Sequence, residues 1–495
     1  MFERSSGILL HVTSLPGPYG IGSMGREARQ FVDFLQQAGQ RYWQILPLVP
    51  TGLGNSPYMS TSSAAGNPLL LDLEGLAELG LLTREELSAA RRDTPDRVDF
   101  SALIPERLAL LRLACSRADD DLRAKAEAFA AEQGDWLPDY ALFTALHGHF
   151  GAPLQQWPDP ALLRRTPRAL DRYGRELREE VSLQLLLQYL FFTQWQGLKQ
   201  YANERGISII GDLPIYVSAD SADVWAHPEL FRLSAGRVPR FVAGVPADAF
   251  SATGQRWGNP LYDWRYHEKT GFAWWCGRVR QALSFYDVLR IDHFRGFDTY
   301  WEISAGEETA LNGRWRRGPG MKLLGALARE VPQARLIAED LGDLNESARK
   351  LVADSGLPGM RVLADAFHDT WGASSFLPHN CPPNAVAYTS THDTPTFVQW
   401  LFELAPEDQR QFAMDYLRLR EDEGWGWGAV AGAWATPCSL AIAPLQDVLG
   451  LGGDARMNFP GTMNGENWSW RVRAEALNGQ VARRLRHITR TYRRI

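Results

Sequence analysis

Eight short runs of aliphatic, β-branched and aromatic residues punctuate the 495-residue chain, and most are separated by longer stretches with helical spacing. The runs are Ile8–Val12, Tyr42–Leu46, Ile207–Gly211, Asp287–Ile291, Arg335–Ala338, Met360–Leu363, Ala385–Thr389 and Ser439–Ala443. Between them, Ala28–Ala38, Leu183–Glu204, Ala273–Ser284, Met321–Arg329 and Glu407–Leu417 repeat apolar residues every three or four positions. Eight strand-and-helix units in one chain favour an α/β fold, a (β/α)8 barrel rather than an open doubly wound sheet. The whole of residues 1–495 is expected to form that one barrel, with two insertions. Residues 73–180, rich in Ala, Leu, Arg and Glu with cap signals such as Thr83-Arg-Glu-Glu, predict a mostly helical insertion after the second strand. Residues 213–272 are rich in Gly, Pro, Asp and aromatics with little periodicity. They predict a loop-rich insertion after the third strand that contributes to a ligand cleft. Too few alternating segments follow Gln446 to build a separate C-terminal β-domain.

The net charge of −6 offers no basic face, so no nucleic-acid partner is expected. No stretch approaches the roughly 20 apolar residues of a membrane span, and the short, interrupted apolar stretch near Met1 is not expected to act as a signal peptide. The four cysteines (Cys115, Cys276, Cys381 and Cys438) lie far apart without a CxxC spacing, which fits a reduced, cytoplasmic protein. Arginines 483, 484, 486, 490, 493 and 494 form the densest basic cluster and are expected on the solvated side of a last helix. Eighteen Trp is a heavy load, and many of them sit in Gly/Pro/Asn-rich segments. Flat apolar rings in loops suit ligands with flat apolar faces.

Acidic residues end four of the eight runs. Asp212 follows the third, Asp292 the fourth, Glu339 and Asp340 the fifth, and Asp393 the seventh. Each apolar run must be buried, so these carboxylates would converge on the C-terminal rim, where such barrels keep their chemistry. One Asp after a strand is commonly only a helix cap or a turn residue. Four converging carboxylates repel one another, a cost tolerated mainly where one carboxyl must be protonated and another ionised. Cleavage of a glycosidic bond needs that division: an ionised carboxylate attacks the anomeric carbon while a protonated one donates to the leaving oxygen. Arg290 lies two residues before Asp292, on the same strand face, and is expected to hold it ionised. Glu339 has no such cation before it and is freer to keep its proton; Asp340 should point away into a structural bond. His293 and His392 recur at no metal-ligand spacing, so no metal is expected. No GxxxxGKS/T phosphate loop and no GxSxG serine-nucleophile elbow occur, and no well-placed GxGxxG follows a first strand for a dinucleotide.

An ordered set of segments then carries a resemblance over nearly the whole chain. It comprises Gly7-Ile-Leu-Leu-His-Val-Thr-Ser-Leu-Pro, Ser56-Pro-Tyr, Gly211-Asp-Leu-Pro-Ile-Tyr, Val242-Ala-Gly-Val-Pro and Phe250-Ser-Ala-Thr-Gly-Gln-Arg-Trp. It continues through Arg290-Ile-Asp-His-Phe-Arg-Gly, Ile337-Ala-Glu-Asp-Leu-Gly, Thr389-Ser-Thr-His-Asp-Thr, Arg456-Met-Asn-Phe-Pro-Gly-Thr and Asn467-Trp-Ser-Trp-Arg. The chain resembles the amylomaltases, or 4-α-glucanotransferases, of glycoside hydrolase family 77 in the α-amylase clan. That resemblance implies Asp292 as nucleophile, Glu339 as acid/base and Asp393 as transition-state stabiliser. It implies that Asp212, Arg290 and His392 shape the sugar site at the bond to be cut, and that Ser56, Tyr58, Asp248, Trp257, Asn458 and Asn464 touch glucan. The implied reaction moves α-1,4-glucan segments to the 4-hydroxyl of an acceptor through a covalent β-glucosyl-enzyme, without a cofactor. Maltooligosaccharides and starch- or glycogen-derived glucans are the implied substrates.

Two positions depart from pattern. Where α-amylases carry an Asn-His pair whose Asn binds calcium, this chain has Tyr216 and Val217, so calcium dependence is not expected. Many family members place Tyr where this chain has Ala249, which removes a stacking ring from the loop over the cleft. The sequence carries no signal for an oligomeric state.

Overall fold

The computed structural model describes residues 2–247 and 251–495. Its strands are β1 (Ser5–Leu9), β2 (Tyr42–Gln44), β3 (Ser208–Leu213), β4 (Phe241–Val245), β5 (Gln255–Pro260) and β6 (Val288–Ile291). They continue as β7 (Thr299–Ser304), β8 (Arg314–Arg317), β9 (Leu336–Ala338), β10 (Gly359–Val362), β11 (Ala385–Tyr388) and β12 (Leu440–Pro444). Eight of them form one parallel sheet in the order β10-β11-β12-β1-β2-β3-β6-β9. The two ends meet where Ala338 N–H donates to Pro358 O (2.9 Å), and the sheet is a (β/α)8 barrel.

Every barrel strand overlaps one of the eight runs, and only β1 is displaced by three residues. Ser5, Ser6 and Gly7 look too polar and small for a buried strand, yet all are buried in register with β12. Position 7 must be glycine because a Cβ there would overlap the backbone oxygen of Tyr42 on β2. The shift lifts His11-Val-Thr-Ser out of the strand into a turn at the rim.

Helices cover the sheet by the usual apolar spacing. Arg26–Gln37 buries Ala28, Phe31, Val32 and Leu35, and Arg178–Glu204 buries Leu187, Phe191, Trp195 and Leu198. Each such large side chain contributes roughly 1.5–3 kcal/mol by leaving water. Trp43 and Trp195 can be fully buried because their indole N–H groups reach Leu10 O (2.7 Å) and Phe285 O (3.0 Å). Between residues 73 and 180 the chain forms successive helices, several opened by a side-chain cap, with a full capping box at Thr83 and Glu86.

Residues 213–272 contain more regular structure than their composition predicts. They hold β4 and β5, which join β7 and β8 in an antiparallel sheet of order β5-β4-β7-β8. Its charge pattern conceals it. Glu302 is buried in β7, where it accepts from Arg314 (2.6 Å) and Arg316 (3.1 Å) on β8 and pairs with Arg232. Trp301 and Trp315 face each other across the two strands, ring centres 5.0 Å apart. After β12 the described residues form no further strand.

The C-terminal arginines divide. Several line the exposed side of helix Gly479–Thr491, but Arg494 is fully buried. Its guanidinium donates to Trp434 O (2.8 Å), Ser5 O (3.0 Å) and Thr436 O (3.0 Å), satisfying carbonyls around the start of β1 and β12. No helix among the described residues is long and apolar enough to cross a membrane. The four cysteines are buried and unpaired.

Candidate active site

Asp212 is the penultimate residue of β3, Asp292 directly follows β6, Glu339 directly follows β9, and Asp393 lies in the turn beyond β11. β3, β6 and β9 are neighbours in the parallel sheet and carry the first three to one rim, and the turn after β11 brings Asp393 to it. Gly211 lets β3 approach closely here, because a Cβ would overlap the ring of Tyr286. Tyr286 in turn accepts from Leu48 N–H (3.0 Å), which ties the loop after β2 to the site.

Arg290 is the cation at the centre, 3% exposed. Its Nη1 donates to Asp212 Oδ2 at 2.5 Å and to Asp292 Oδ1 at 3.2 Å. The charge expected to serve Asp292 alone is therefore shared, with the shorter contact going to Asp212. Burial pushes the Asp292 carboxyl up to about 7; Arg290 opposes this, and Asp212, Glu339 and Asp393 add to it. Burial thus sets Asp292 higher than a simple ion pair would, while Arg290 still favours its ionised form.

Glu339 is fixed by backbone. Its Oε2 accepts from His293 N–H (2.7 Å) and its Oε1 from Leu341 N–H (2.9 Å). Burial raises its pKa despite Arg290 and these two amides. His293 presents its amide from the left-handed region, φ 48° and ψ 48°, a conformation that costs energy in a non-glycine residue and recurs at functional sites. Because His293 follows Asp292, the bond from its amide sets the Glu339 carboxyl beside the Asp292 backbone.

Asp393 has the opposite character. Burial would raise it, but His392 (Nε2 to Oδ2, 3.1 Å) and the Asn458 amide (2.7 Å to Oδ1) hold it well below the usual carboxylate range. His392 is raised by Asp393 against the cost of burial. Tyr58 joins the two halves: its hydroxyl lies 2.8 Å from both Asp212 Oδ2 and His392 Nε2, and its ring stacks on His392. Trp257, on β5, stands edge-on to His293 at 5.0 Å, so the antiparallel sheet borders this cluster.

Asp212, Arg290, Asp292, Glu339, His392, Asp393, Tyr58 and Asn458 thus form one connected cluster, with Trp257 beside it. Ser56 acts locally, its hydroxyl accepting from Tyr58 N–H (3.2 Å). Asn464 stands apart and exposed; its side-chain oxygen caps a turn by accepting from the Glu466 and Asn467 amides (3.1 and 2.9 Å). Asp248 and Ala249 lie outside the described residues. Asp340 turns away, as its alternation along the strand requires, and accepts from Met360 N–H (2.6 Å). Two contributors escape a reading based on strand ends. Arg456 donates to the Asp393 carbonyl (2.7 Å), and Trp468 packs 5.6 Å from the Tyr58 ring. Both lie in segments after β12, where no strand pattern marks the rim.

A barrel rim that gathers two carboxyls raised by burial and a third held low beside them has the division of acidity that glycosidic-bond chemistry uses. Comparison with known proteins agrees. The family model described as 4-alpha-glucanotransferase matches residues 10–477. The 4-alpha-glucanotransferases of Synechocystis sp. and Thermus thermophilus are 47% and 45% identical, over 99% of this chain and 98% and 99% of theirs. The amylomaltase of Streptococcus agalactiae, solved in complex with acarbose, superposes with a TM-score of 0.97 at 42% identity, covering 99% of this chain and all of that one. Amylomaltase from Corynebacterium glutamicum shares the fold at a TM-score of 0.80 and 20% identity, over 98% of this chain and 75% of its own. The chain belongs to the 4-α-glucanotransferase family, glycosyltransferases acting on α-1,4-glucans.

Proposed function

We propose that the protein is a retaining 4-α-glucanotransferase working by double displacement. Asp292, ionised, attacks the anomeric carbon of an α-1,4-linked donor while Glu339 gives its proton to the departing oxygen, leaving a β-glucosyl ester on Asp292. Glu339 then takes the proton of an incoming 4-hydroxyl, which displaces Asp292 and restores the α linkage. Asp393, held ionised, stabilises the positive charge that develops at the anomeric centre. The observation that carries this reading is the pairing of Asp292 and Glu339, both raised by burial, with Glu339 held by the amide of the residue after Asp292.

Asp212, Arg290 and His392 are assigned to the sugar at the reacting centre. The assignment of Asp212 is supported by its Oδ2, which accepts from Arg290 (2.5 Å) and from the Tyr58 hydroxyl (2.8 Å). Ser56, Tyr58, Asp248, Trp257, Asn458 and Asn464 are assigned to the surrounding glucan. Residues 213–272 form the cleft wall within a single-barrel chain, and the substrates are maltooligosaccharides and starch- or glycogen-derived glucans. Buried, unpaired cysteines accord with a cytoplasmic setting. Transfer wins over hydrolysis when the wall around Trp257 favours sugar over water.

Incubation with maltotriose tests this reading, following chain lengths and total reducing ends together. Transfer scrambles lengths and releases glucose at constant reducing ends. Rising reducing ends would identify a hydrolase instead, and unchanged lengths would remove the reading altogether.

A further inference from the structure

Asp447 is a fully buried carboxylate that none of the steps above uses. It sits in the short helix Leu445–Val448 that directly follows β12, and no cation pairs with it among the described residues. Its Oδ2 accepts from the hydroxyls of Thr389 (2.5 Å) and Ser390 (2.6 Å), and its Oδ1 from Phe397 N–H (2.7 Å). Burying an unpaired carboxylate is expensive, and a neutral or apolar side chain would serve packing better. What the carboxyl holds is informative. Thr389 and Ser390 begin, and Phe397 ends, the turn that carries His392 and Asp393. Within the turn, Thr391 Oγ1 accepts from the Asp393 and Thr394 amides (3.2 Å each), so the two ends and the middle are all fixed.

We infer that Asp447 is a positioning residue for the reaction: it clamps both ends of the 389–397 turn and so sets where the Asp393 carboxylate and the His392 ring stand. This inference rests on the role proposed above for Asp393. Removing the clamp lets Asp393 relax by a fraction of an ångström to an ångström, and misplacement on that scale costs on the order of a hundred-fold in rate. Bound substrate still has the rest of the cleft, so KM is little affected.

The test compares the parent with Asp447→Asn, which keeps one acceptor, and with Thr389→Val and Ser390→Ala, which each remove one strut. Steady-state kinetics on maltotriose are read well below each variant's own melting temperature, with Asp393→Asn run in parallel. The expected result is a kcat lowered about ten- to a hundred-fold in Asp447→Asn, with smaller falls in the two single-strut variants and KM within about two-fold of the parent. A variant with lowered melting temperature but parental kcat per folded molecule would make Asp447 merely structural and overturn the inference. If Asp393→Asn itself keeps parental kcat, the stabilising role of Asp393 fails first. If Asp393→Asn is inactive while Asp447→Asn is not, only the positioning role fails.

Discussion

Replacing Arg290 with methionine removes the one cation shared by Asp212 and Asp292 while keeping an unbranched, similarly long side chain. The Nη1–Oδ1 separation from Asp292 is 3.2 Å and the arginine side chain is 4% exposed. Two unit charges at that distance attract by roughly 5 kcal/mol at an effective dielectric of about 20. Both charges are delocalised, so roughly half of this, about 2 pKa units, is a working figure for what Arg290 gives Asp292. Without it Asp292 rises from about 7 toward the alkaline range, and Glu339, whose charge Arg290 also favours, rises with it. Attack needs ionised Asp292 and donation needs protonated Glu339, so both limbs of the kcat/KM profile shift to higher pH. The two carboxyls titrate as a coupled pair, and the profile reports values belonging to the pair. Maltotriose disproportionation measured from about pH 5 to about pH 10 should show the acid limb displaced upward by about two units, with activity partly recovered at the alkaline end. Breaking a buried pair also costs roughly 3–5 kcal/mol of stability, so circular dichroism must confirm the folded fraction at each pH. An unmoved profile, or one displaced to lower pH, would refute the electrostatic role given to Arg290.

Asp292→Asn and Glu339→Gln should each abolish turnover without loss of fold; substantial residual activity in either would place the nucleophile or the acid elsewhere. The same Asp292→Asn change should stabilise the protein. An acid with a raised folded-state pKa binds its proton more tightly when folded, so the folded state loses stability as pH climbs from the unfolded value toward about 7. With 24% of the side chain exposed, roughly 4 kcal/mol is a ceiling. The melting-temperature advantage of Asp292→Asn should therefore widen from about pH 5 to about pH 8, and a narrowing gap would contradict the burial argument. Tyr58→Phe keeps the ring stacked on His392 but deletes the hydroxyl between Asp212 and His392, and should lower kcat/KM about ten-fold; parental kcat/KM would make that bridge incidental. A calcium chelator should leave activity unchanged, given Tyr216 and Val217, and a clear loss would show that reasoning wrong.

The barrel was legible because its strands are buried on both faces and therefore stand out as apolar runs. The four rim carboxylates were legible because each run ends in one. β1 was misplaced by three residues because Ser5-Ser6-Gly7 owes its burial to tight strand packing rather than hydrophobicity. The antiparallel sheet was missed because Arg314-Trp-Arg-Arg looks like a solvated segment, and only the buried Glu302 makes those arginines part of a strand pair. The sharing of Arg290 was not legible either. Strand alternation places it beside Asp292, but the shorter bond to Asp212 depends on the register of β3 against β6, where Asp212 faces Arg290. Asp447 and Arg456 act from beyond the last strand through contacts more than 50 residues apart, which no local pattern encodes.

The central claim is the covalent bond to Asp292. Glu339→Gln, which lacks the base needed to release the glucosyl group, should be incubated with an α-maltosyl fluoride, quenched in acid, and its intact mass and peptides measured. A maltosyl increment on the peptide containing Asp292 is the expected result. A quenched enzyme of unchanged mass, or an increment on a different carboxylate, would contradict it.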